Sequence, residues 1–166
     1  MDVKNPMVRR KFQRLRALIL DVDGVLTDGG MYYGPAGEVL KKFNARDGMG
    51  LAMLRKAGVV VAFITGESAE SVLRRAEKLA VEDVYLGAED KWAAMQDFLG
   101  KRAFLLEDVA YVGDDVNDLP CLQKVGVAIS VADAVPSVKK VAHLVTECRG
   151  GEGAVREVAE AILACR

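Results

Sequence analysis

The stretch Ala17-Leu18-Ile19-Leu20-Asp21-Val22-Asp23-Gly24 decides how the rest of the chain is read. Four apolar residues in a row, without alternation, describe a strand covered on both faces, as strands of parallel sheets are. The run stops abruptly at two aspartates and a glycine. Further short apolar runs recur at Val59 to Ile64, Val84 to Leu86, Val109 to Val112 and Val127 to Ile129. Helix-length amphipathic segments fall between them. Asp47 is placed to cap a helix through Ala57, with Gly58 as its stop. Val72, Ala76 and Leu79 lie at i, i+4 and i+7 of the next helix, Asp90 can cap a third, and Gly153 to Ala164 reads as the last. Strands alternating with helices predict an α/β fold, a doubly wound parallel sheet, in a single domain over residues 1–166.

Two segments depart from the alternation. Met31-Tyr32-Tyr33 and Glu38 to Phe43 flank Gly34-Pro35-Ala36-Gly37, which predicts a β-hairpin over about residues 30–43. The first sixteen residues carry six cations, with Val8, Phe12 and Leu15 at helical spacing, and predict a basic amphipathic helix over about residues 5–16.

Composition narrows the chemistry. Of 166 residues, 51% are hydrophobic and 28% charged, the balance of an ordinary globular chain. Lys plus Arg number 23 against 24 Asp plus Glu, so the net charge of −1 offers no bulk attraction to nucleic acid. No apolar run approaches the roughly 20 residues of a membrane span, and an enzyme of the cytoplasm with no membrane partner is expected. Cys121, Cys148 and Cys165 are too few and scattered for a disulfide framework. His143 is the single histidine, which rules out any two-histidine metal site. Carboxylates and lysines must carry any catalysis.

Those groups collect where ligands of doubly wound sheets bind, just beyond the carboxyl ends of the strands. Asp21 and Asp23 close the first run, and Gly113-Asp114-Asp115-Val116-Asn117-Asp118 follows the fourth. Aspartates also form turns and cap helices. Two clusters at successive strand ends, however, repel one another unless a cation sits among them, and hard oxygen donors without Cys or His suit Mg²⁺. Thr65-Gly66 after the second run supplies a hydroxyl and a flexible backbone for a phosphate oxygen. Lys91 stands in the first turn of a helix, where the dipole disfavours a cation, so an anionic neighbour is expected. Together these groups point to phosphoryl transfer through an aspartyl-phosphate.

From Arg16 onward the sequence resembles the haloacid dehalogenase superfamily. Asp21-Val22-Asp23-Gly24-Val25-Leu26-Thr27-Asp28-Gly29, Thr65-Gly66, Lys91 and Gly113 to Asp118 look like its four signature motifs. The extended first motif, the hairpin, Lys41-Lys42-Phe43-Asn44 and the late Arg149-Gly150-Gly151-Glu152-Gly153 resemble its capless phosphatases of 2-keto-3-deoxy sugar acids. The resemblance implies a Rossmann-like fold without a cap domain and a small sugar-acid phosphate as substrate. It makes Asp21 the nucleophile and Asp23 the general acid and base. Mg²⁺ would be held by Asp21, the Asp23 carbonyl and Asp114, with Asp115 and Asp118 beside it. Thr65, Gly66 and Lys91 would bind phosphate. It further implies a homotetramer in which hairpins associate and a neighbour closes each site; Met31, Tyr32, Tyr33 and Phe43 look exposed and in want of burial.

For substrate choice, Glu67, Ser71, Arg74 and Lys78 share one stripe if a helix starts at Glu67, with Arg75 alongside. A solvated face laced by Glu70–Arg74 pairs is the plainer alternative. Glu67 with Lys78 resembles the phosphatases of nine-carbon acid 9-phosphates, so that substrate is favoured over the eight-carbon 8-phosphate. Arg149 and Glu152 either reach a neighbour's substrate or belong to a glycine loop leading into the last helix. A non-catalytic module, like that in some acylneuraminate cytidylyltransferases, is the rival from outside enzymology.

Overall fold

The computed structural model describes residues 3–35 and 37–166; Met1, Asp2 and Ala36 of the predicted turn lie outside the described residues. In chain order come α1 (Pro6–Gln13), β1 (Ala17–Leu20), β2 (Tyr32–Gly34), β3 (Gly37–Leu40), α2 (Ala45–Lys56), β4 (Val60–Ile64), α3 (Glu70–Leu79) and β5 (Asp83–Tyr85). They are followed by α4 (Lys91–Arg102), β6 (Val109–Gly113), α5 (Leu119–Leu122), β7 (Val127–Ser130), α6 (Pro136–Val141), β8 (Leu144–Val145) and α7 (Ala154–Cys165).

Six strands form one sheet in the order β5-β4-β1-β6-β7-β8, parallel at every pairing. The chain winds outward from β1 through β4 to β5, then crosses back to β6 and winds outward the other way. The carboxyl ends of β1 and β6 therefore flank the switch point, where such sheets bind ligands. Leu20 is in register with Phe63 and Val112, so the residues that follow β1 and β6 emerge side by side. All four residues of β1 are fully buried, which is why that run is apolar without alternation. The helices form two contiguous groups, α1 and α3 with α2 and α7, and α4 with α5 and α6. Right-handed crossovers put these groups on opposite faces. The two-residue edge strand β8 was too short to read from sequence.

Several boundaries moved for identifiable reasons. Asn44, not Asp47, caps α2: its side chain accepts from the Arg46 N–H at 2.8 Å. Asp47 is buried one turn into the helix and accepts from the Arg156 N–H at 2.8 Å. It thus caps α7 from another helix, because Gly153 at that helix's start has no side chain to do so. Gly50 lets α2 approach α7 closely; a Cβ there would lie 3.1 Å from both the Arg156 Cα and the Ala159 Cβ. The glycine stop after α2 holds, with Gly58 at φ +82°.

The hairpin β2–β3 projects from the sheet, tied at its base by a bridge between Thr27 and Phe43. Met31, Tyr32, Tyr33, Val39 and Leu40 are exposed, Tyr33 to 66%. Phe43 is the exception to the expected exposure. It packs on the core with the Arg75 guanidinium 5.6 Å from its ring centre. The basic helix α1 buries Val8 and Phe12 and packs on α7. Among the described residues no helix is long and apolar enough to cross a membrane.

Candidate active site

Asp21 is the first residue past β1, and its N–H continues the ladder to the Val112 carbonyl at 3.0 Å. Its carboxylate is almost fully buried, at 4% exposure. Lys91, the first residue of α4 behind the Asp90 cap, reaches it at 2.7 Å and Asp118 at 2.8 Å. A lysine at that end of a helix does stand among anions, as its position demanded. Burial opposes the Lys91 charge, but Asp21 and Asp118 outweigh it and raise the ammonium above its ordinary value. Burial, then the charge of Asp118, pushes Asp21 well above the usual carboxylate range despite Lys91. One ammonium among three carboxylates leaves the site short of positive charge.

Asp118 is fully committed. Its Oδ1 accepts from Lys91 and from the buried Tyr111 hydroxyl at 2.8 Å. Its Oδ2 accepts from the backbone N–H groups of Asp114 at 2.9 Å and Asp115 at 3.3 Å. Gly113 is required beneath it, since a Cβ there would overlap the Asp118 side chain. Asp115 is exposed, caps the following turn through the Val116 N–H and borders the same pocket.

Asp114 is different. Its Oδ1 is buried and has no hydrogen-bond partner, and burial pushes its carboxyl up to about 6. Gly24, at φ +94°, makes room for this side chain, which a Cβ would overlap. Carboxylate oxygens of Asp21, Asp114 and Asp118 all lie within 4.8 Å of one another. With Asp118 saturated, Asp21 and Asp114 are the pair with oxygens to spare, and an orphaned buried carboxylate oxygen beside another carboxylate fits a hard divalent cation.

Asp23 sits at the mouth of the site. Thr65 donates its hydroxyl to Asp23 Oδ2 at 3.1 Å and accepts from the Glu67 N–H, so in this state its hydroxyl serves Asp23. On the other oxygen lies Lys41, 2.5 Å away, a residue that sequence reasoning missed. Tyr111 was missed as well. The only signals were a lysine after the second hairpin strand and a tyrosine two residues before the Gly-Asp-Asp turn.

Asp21, Asp23, Thr65, Lys91, Asp114, Asp115 and Asn117 line a pocket of 190 Å³ together with Met31, Gly66 and Glu67. That is below the roughly 300–1,000 Å³ of a drug-sized ligand's site and suits a phosphoryl group. Glu67 also borders a second hollow of 630 Å³ between the hairpin and the start of α3, where Tyr33, Glu38 and Arg74 contribute.

The other expected substrate residues are not brought to the pocket. Helix α3 begins at Glu70 with Ala69 as its cap, so Glu67 precedes the helix and the stripe through Lys78 does not form. Arg74 pairs with Glu70 at 3.0 Å, the plainer alternative. Arg75 turns inward to the Asn44 carbonyl at 2.9 Å, and Lys78 is exposed elsewhere. Arg149 pairs with Asp133 at 3.2 Å, and Glu152 is exposed outside the pocket. The glycine segment between them is pinned rather than loose. Gly151 donates to Val25 and receives the Asn44 amide at 3.1 Å, and a Cβ on Gly150 would overlap the Gly24 carbonyl.

Comparison with known proteins agrees with this geometry. A family model described as haloacid dehalogenase-like hydrolase matches residues 83–158. The 3-deoxy-D-manno-octulosonate 8-phosphate phosphatase KdsC of Salmonella typhimurium is 46% identical over 159 residues, 96% of this chain and 85% of its own. That of Escherichia coli K12 is 47% identical, covering 92% of this chain and 81% of the relative. Among solved structures, the phosphatase of that name from Moraxella catarrhalis, in complex with magnesium ion, phosphate ion and a KDO molecule, is similar with a TM-score of 0.92 and 37% identity over 96% of this chain and 91% of the other. The Yersinia pestis enzyme has a TM-score of 0.93 and 43% identity over 96% and 86%. With the pocket built from all four motifs and relatives this similar over more than four-fifths of their length, the chain belongs to the haloacid dehalogenase-like hydrolases and is a phosphatase of that family.

Proposed function

We propose that the protein hydrolyses the terminal phosphate of a 2-keto-3-deoxy sugar acid with Mg²⁺, and that 3-deoxy-D-manno-octulosonate 8-phosphate is its substrate. The observation that carries the reaction is the buried Asp21 carboxylate, pinned by Lys91 and placed in one pocket with Asp23 and with Asp114, whose Oδ1 has no hydrogen-bond partner. The eight-carbon substrate rests on the similar phosphatases that carry its name. The nine-carbon preference expected from Glu67 and Lys78 loses its footing, because those residues do not share a helix face.

In the reaction, an Asp21 oxygen attacks phosphorus, the bond from phosphorus to the sugar oxygen breaks, and Asp23 gives its proton to the departing alkoxide. Asp23 then takes a proton from water as the water oxygen bonds to phosphorus. The bond to Asp21 breaks, releasing inorganic phosphate and restoring the carboxylate. Lys91 holds Asp21 in place and contributes positive charge for the phosphoryl oxygens. Asp118, held by four donors, fixes Lys91. Asp21 and Asp114, with the Asp23 carbonyl implied by the family resemblance, would hold Mg²⁺, which supplies charge neutralisation for a dianion approaching a carboxylate.

The exposed apolar hairpin supports a homotetramer closed around its hairpins, because several large apolar side chains on one projecting element are costly to leave in water. Met31 of that segment borders the pocket, and a neighbouring copy would cover it there.

The test compares kcat/KM on the eight-carbon 8-phosphate and the nine-carbon 9-phosphate with Mg²⁺, for the wild type and Asp21→Asn. The expected result is a preference for the eight-carbon acid, and a loss of at least about 10³-fold on both with Asp21→Asn. Turnover by Asp21→Asn within tenfold of wild type would overturn the covalent mechanism. A clear preference for the nine-carbon acid would overturn the substrate.

A further inference from the structure

Outside the four motifs, the Lys41 side chain is covered at the mouth of the active site. Its ammonium lies 2.5 Å from Asp23 Oδ1 and 2.9 Å from Glu38 Oε1. Glu38 is itself 12% exposed and belongs to β3, while Lys41 follows that strand directly. Asp23 is therefore held from two sides: the Thr65 hydroxyl from β4's end takes Oδ2, and Lys41 from the hairpin takes Oδ1. Without Lys41 a single neutral hydrogen bond would orient a carboxyl that must serve two steps. Burying a lysine costs several kcal/mol unless it is paired, so its placement between two carboxylates is a specific arrangement.

We propose that Lys41 is a positioning residue for Asp23, anchored by Glu38, and that through it the hairpin sets the aim of the general acid and base. The inference rests on the assignment of Asp23 as that group. A carboxyl that must meet a leaving oxygen in one step and water in the next has to be held within a fraction of an ångström. Displacement of about 1 Å is enough to cost about 10²-fold in rate. Glu38 lies in β3 and Lys41 follows it directly, so where that strand lies over β1 fixes where the ion pair sits. Fixing the hairpin, by assembly or otherwise, fixes Asp23.

Lys41→Met keeps the length and apolar stem and removes the charge; Lys41→Arg restores it. Lys42→Met, at an exposed lysine that pairs with Asp28, controls for the loss of one hairpin charge. The full chain is assayed with Mg²⁺ on the sugar-acid phosphate and on 4-nitrophenyl phosphate, with inhibition by inorganic phosphate and thermal unfolding measured on each variant. Lys41→Met is expected to lower kcat on the sugar phosphate by about 30- to 100-fold with KM and phosphate inhibition within about threefold. First-turnover release of 4-nitrophenolate, which needs no proton, falls far less. Lys41→Arg recovers most of the loss, and adding Lys41→Met to Asp23→Asn costs little more than Asp23→Asn alone. A raised KM with unchanged kcat would overturn the proposal in favour of direct substrate contact. Equal losses on both substrates with weakened phosphate inhibition would overturn it in favour of general distortion, as would full additivity in the double variant. Should Asp23→Asn alone retain wild-type turnover, the assignment of Asp23 fails instead, and Lys41 falls with it for a separate and visible reason. If Lys41→Met does not fold, Glu38→Gln, which leaves Lys41 in place but unanchored, is expected to give the same split at smaller size. Unchanged kcat there overturns the proposal.

Discussion

The floor of the active site and the hairpin above it are built on opposite principles. On the floor, Asp21, Lys91, Asp118 and Tyr111 are buried and interlocked, with every Asp118 oxygen occupied by donors. The hairpin instead shows Tyr32, Tyr33, Val39 and Leu40 to solvent and keeps one covered cation, Lys41, between Asp23 and Glu38. The chemistry common to the whole superfamily sits where the sheet leaves no freedom. The hairpin projects from the sheet, tied at its base by the bridge between Thr27 and Phe43, and its outer side chains can change without disturbing the floor.

The sharpest way to break that contrast is at Lys91. Lys91→Met strips the buried carboxylates Asp21 and Asp118 of their cation, and breaking a buried pair in this way costs about 3–5 kcal/mol. Chemical denaturation should show that loss of stability, and phosphate release should fall to background. A stable, active Lys91→Met protein would mean that the floor does not depend on its one ammonium.

Next in size is Gly150→Ala. The added Cβ would overlap the Gly24 carbonyl, backbone against backbone, so the loop carrying Asp23 and Gly24 must shift. About 1–3 kcal/mol of destabilisation is expected, measured by denaturant midpoint, together with a drop in kcat. Unaltered stability would show that the late glycines are not held against the Gly24 loop.

The hairpin should answer in another measurement. Tyr33→Ser with Leu40→Ser leaves the floor intact, and as surface changes they should cost the isolated fold no more than about 0.5 kcal/mol each. If these side chains are buried between copies, at about 1.5–3 kcal/mol per large apolar residue, assembly weakens by more than about tenfold. Light scattering across a dilution series should show the smaller species for the double variant. Identical masses at all concentrations for wild type and variant would remove the hairpin from the interface.

The smallest effect belongs to a region remote from both. His143 accepts from the Ala128 N–H at 2.9 Å through Nδ1, which requires the neutral ring, and burial followed by the charge of Lys11 lowers its pKa. The unfolded chain takes up this proton at a higher pH than the folded one. Its stabilising share is therefore present above the unfolded value, about 6.5, and is lost as pH falls through that value towards the folded one. Wild type should lose slightly more thermal stability than His143→Gln between pH 7.5 and 5.5, and parallel curves would deny the ring any role.

Sequence alone determined the parallel sheet, the order of the motifs and, Tyr111 apart, the residues of the site's floor. Burial on both faces demands uninterrupted apolar runs such as Ala17 to Leu20, and the sharp change to aspartate marks each strand's end. Lys91 was legible because a cation in a helix's first turn contradicts the dipole unless anions surround it. Tertiary structure alone decided the rest, because it depended on which elements meet. Asp47 has the chemistry of a cap, but only packing of α2 on α7 determines whose N–H groups it satisfies. The Glu67 to Lys78 stripe needed a helix starting three residues earlier than the observed one, and helix ends are set by local competition that periodicity does not resolve. Arg75 was drawn inward by the Asn44 carbonyl and the Phe43 ring, partners far away in sequence. Lys41 was assigned no role because a strand-end lysine is ordinarily solvated; only the fold of the hairpin over β1 brings Asp23 and Glu38 to it, and covers it there.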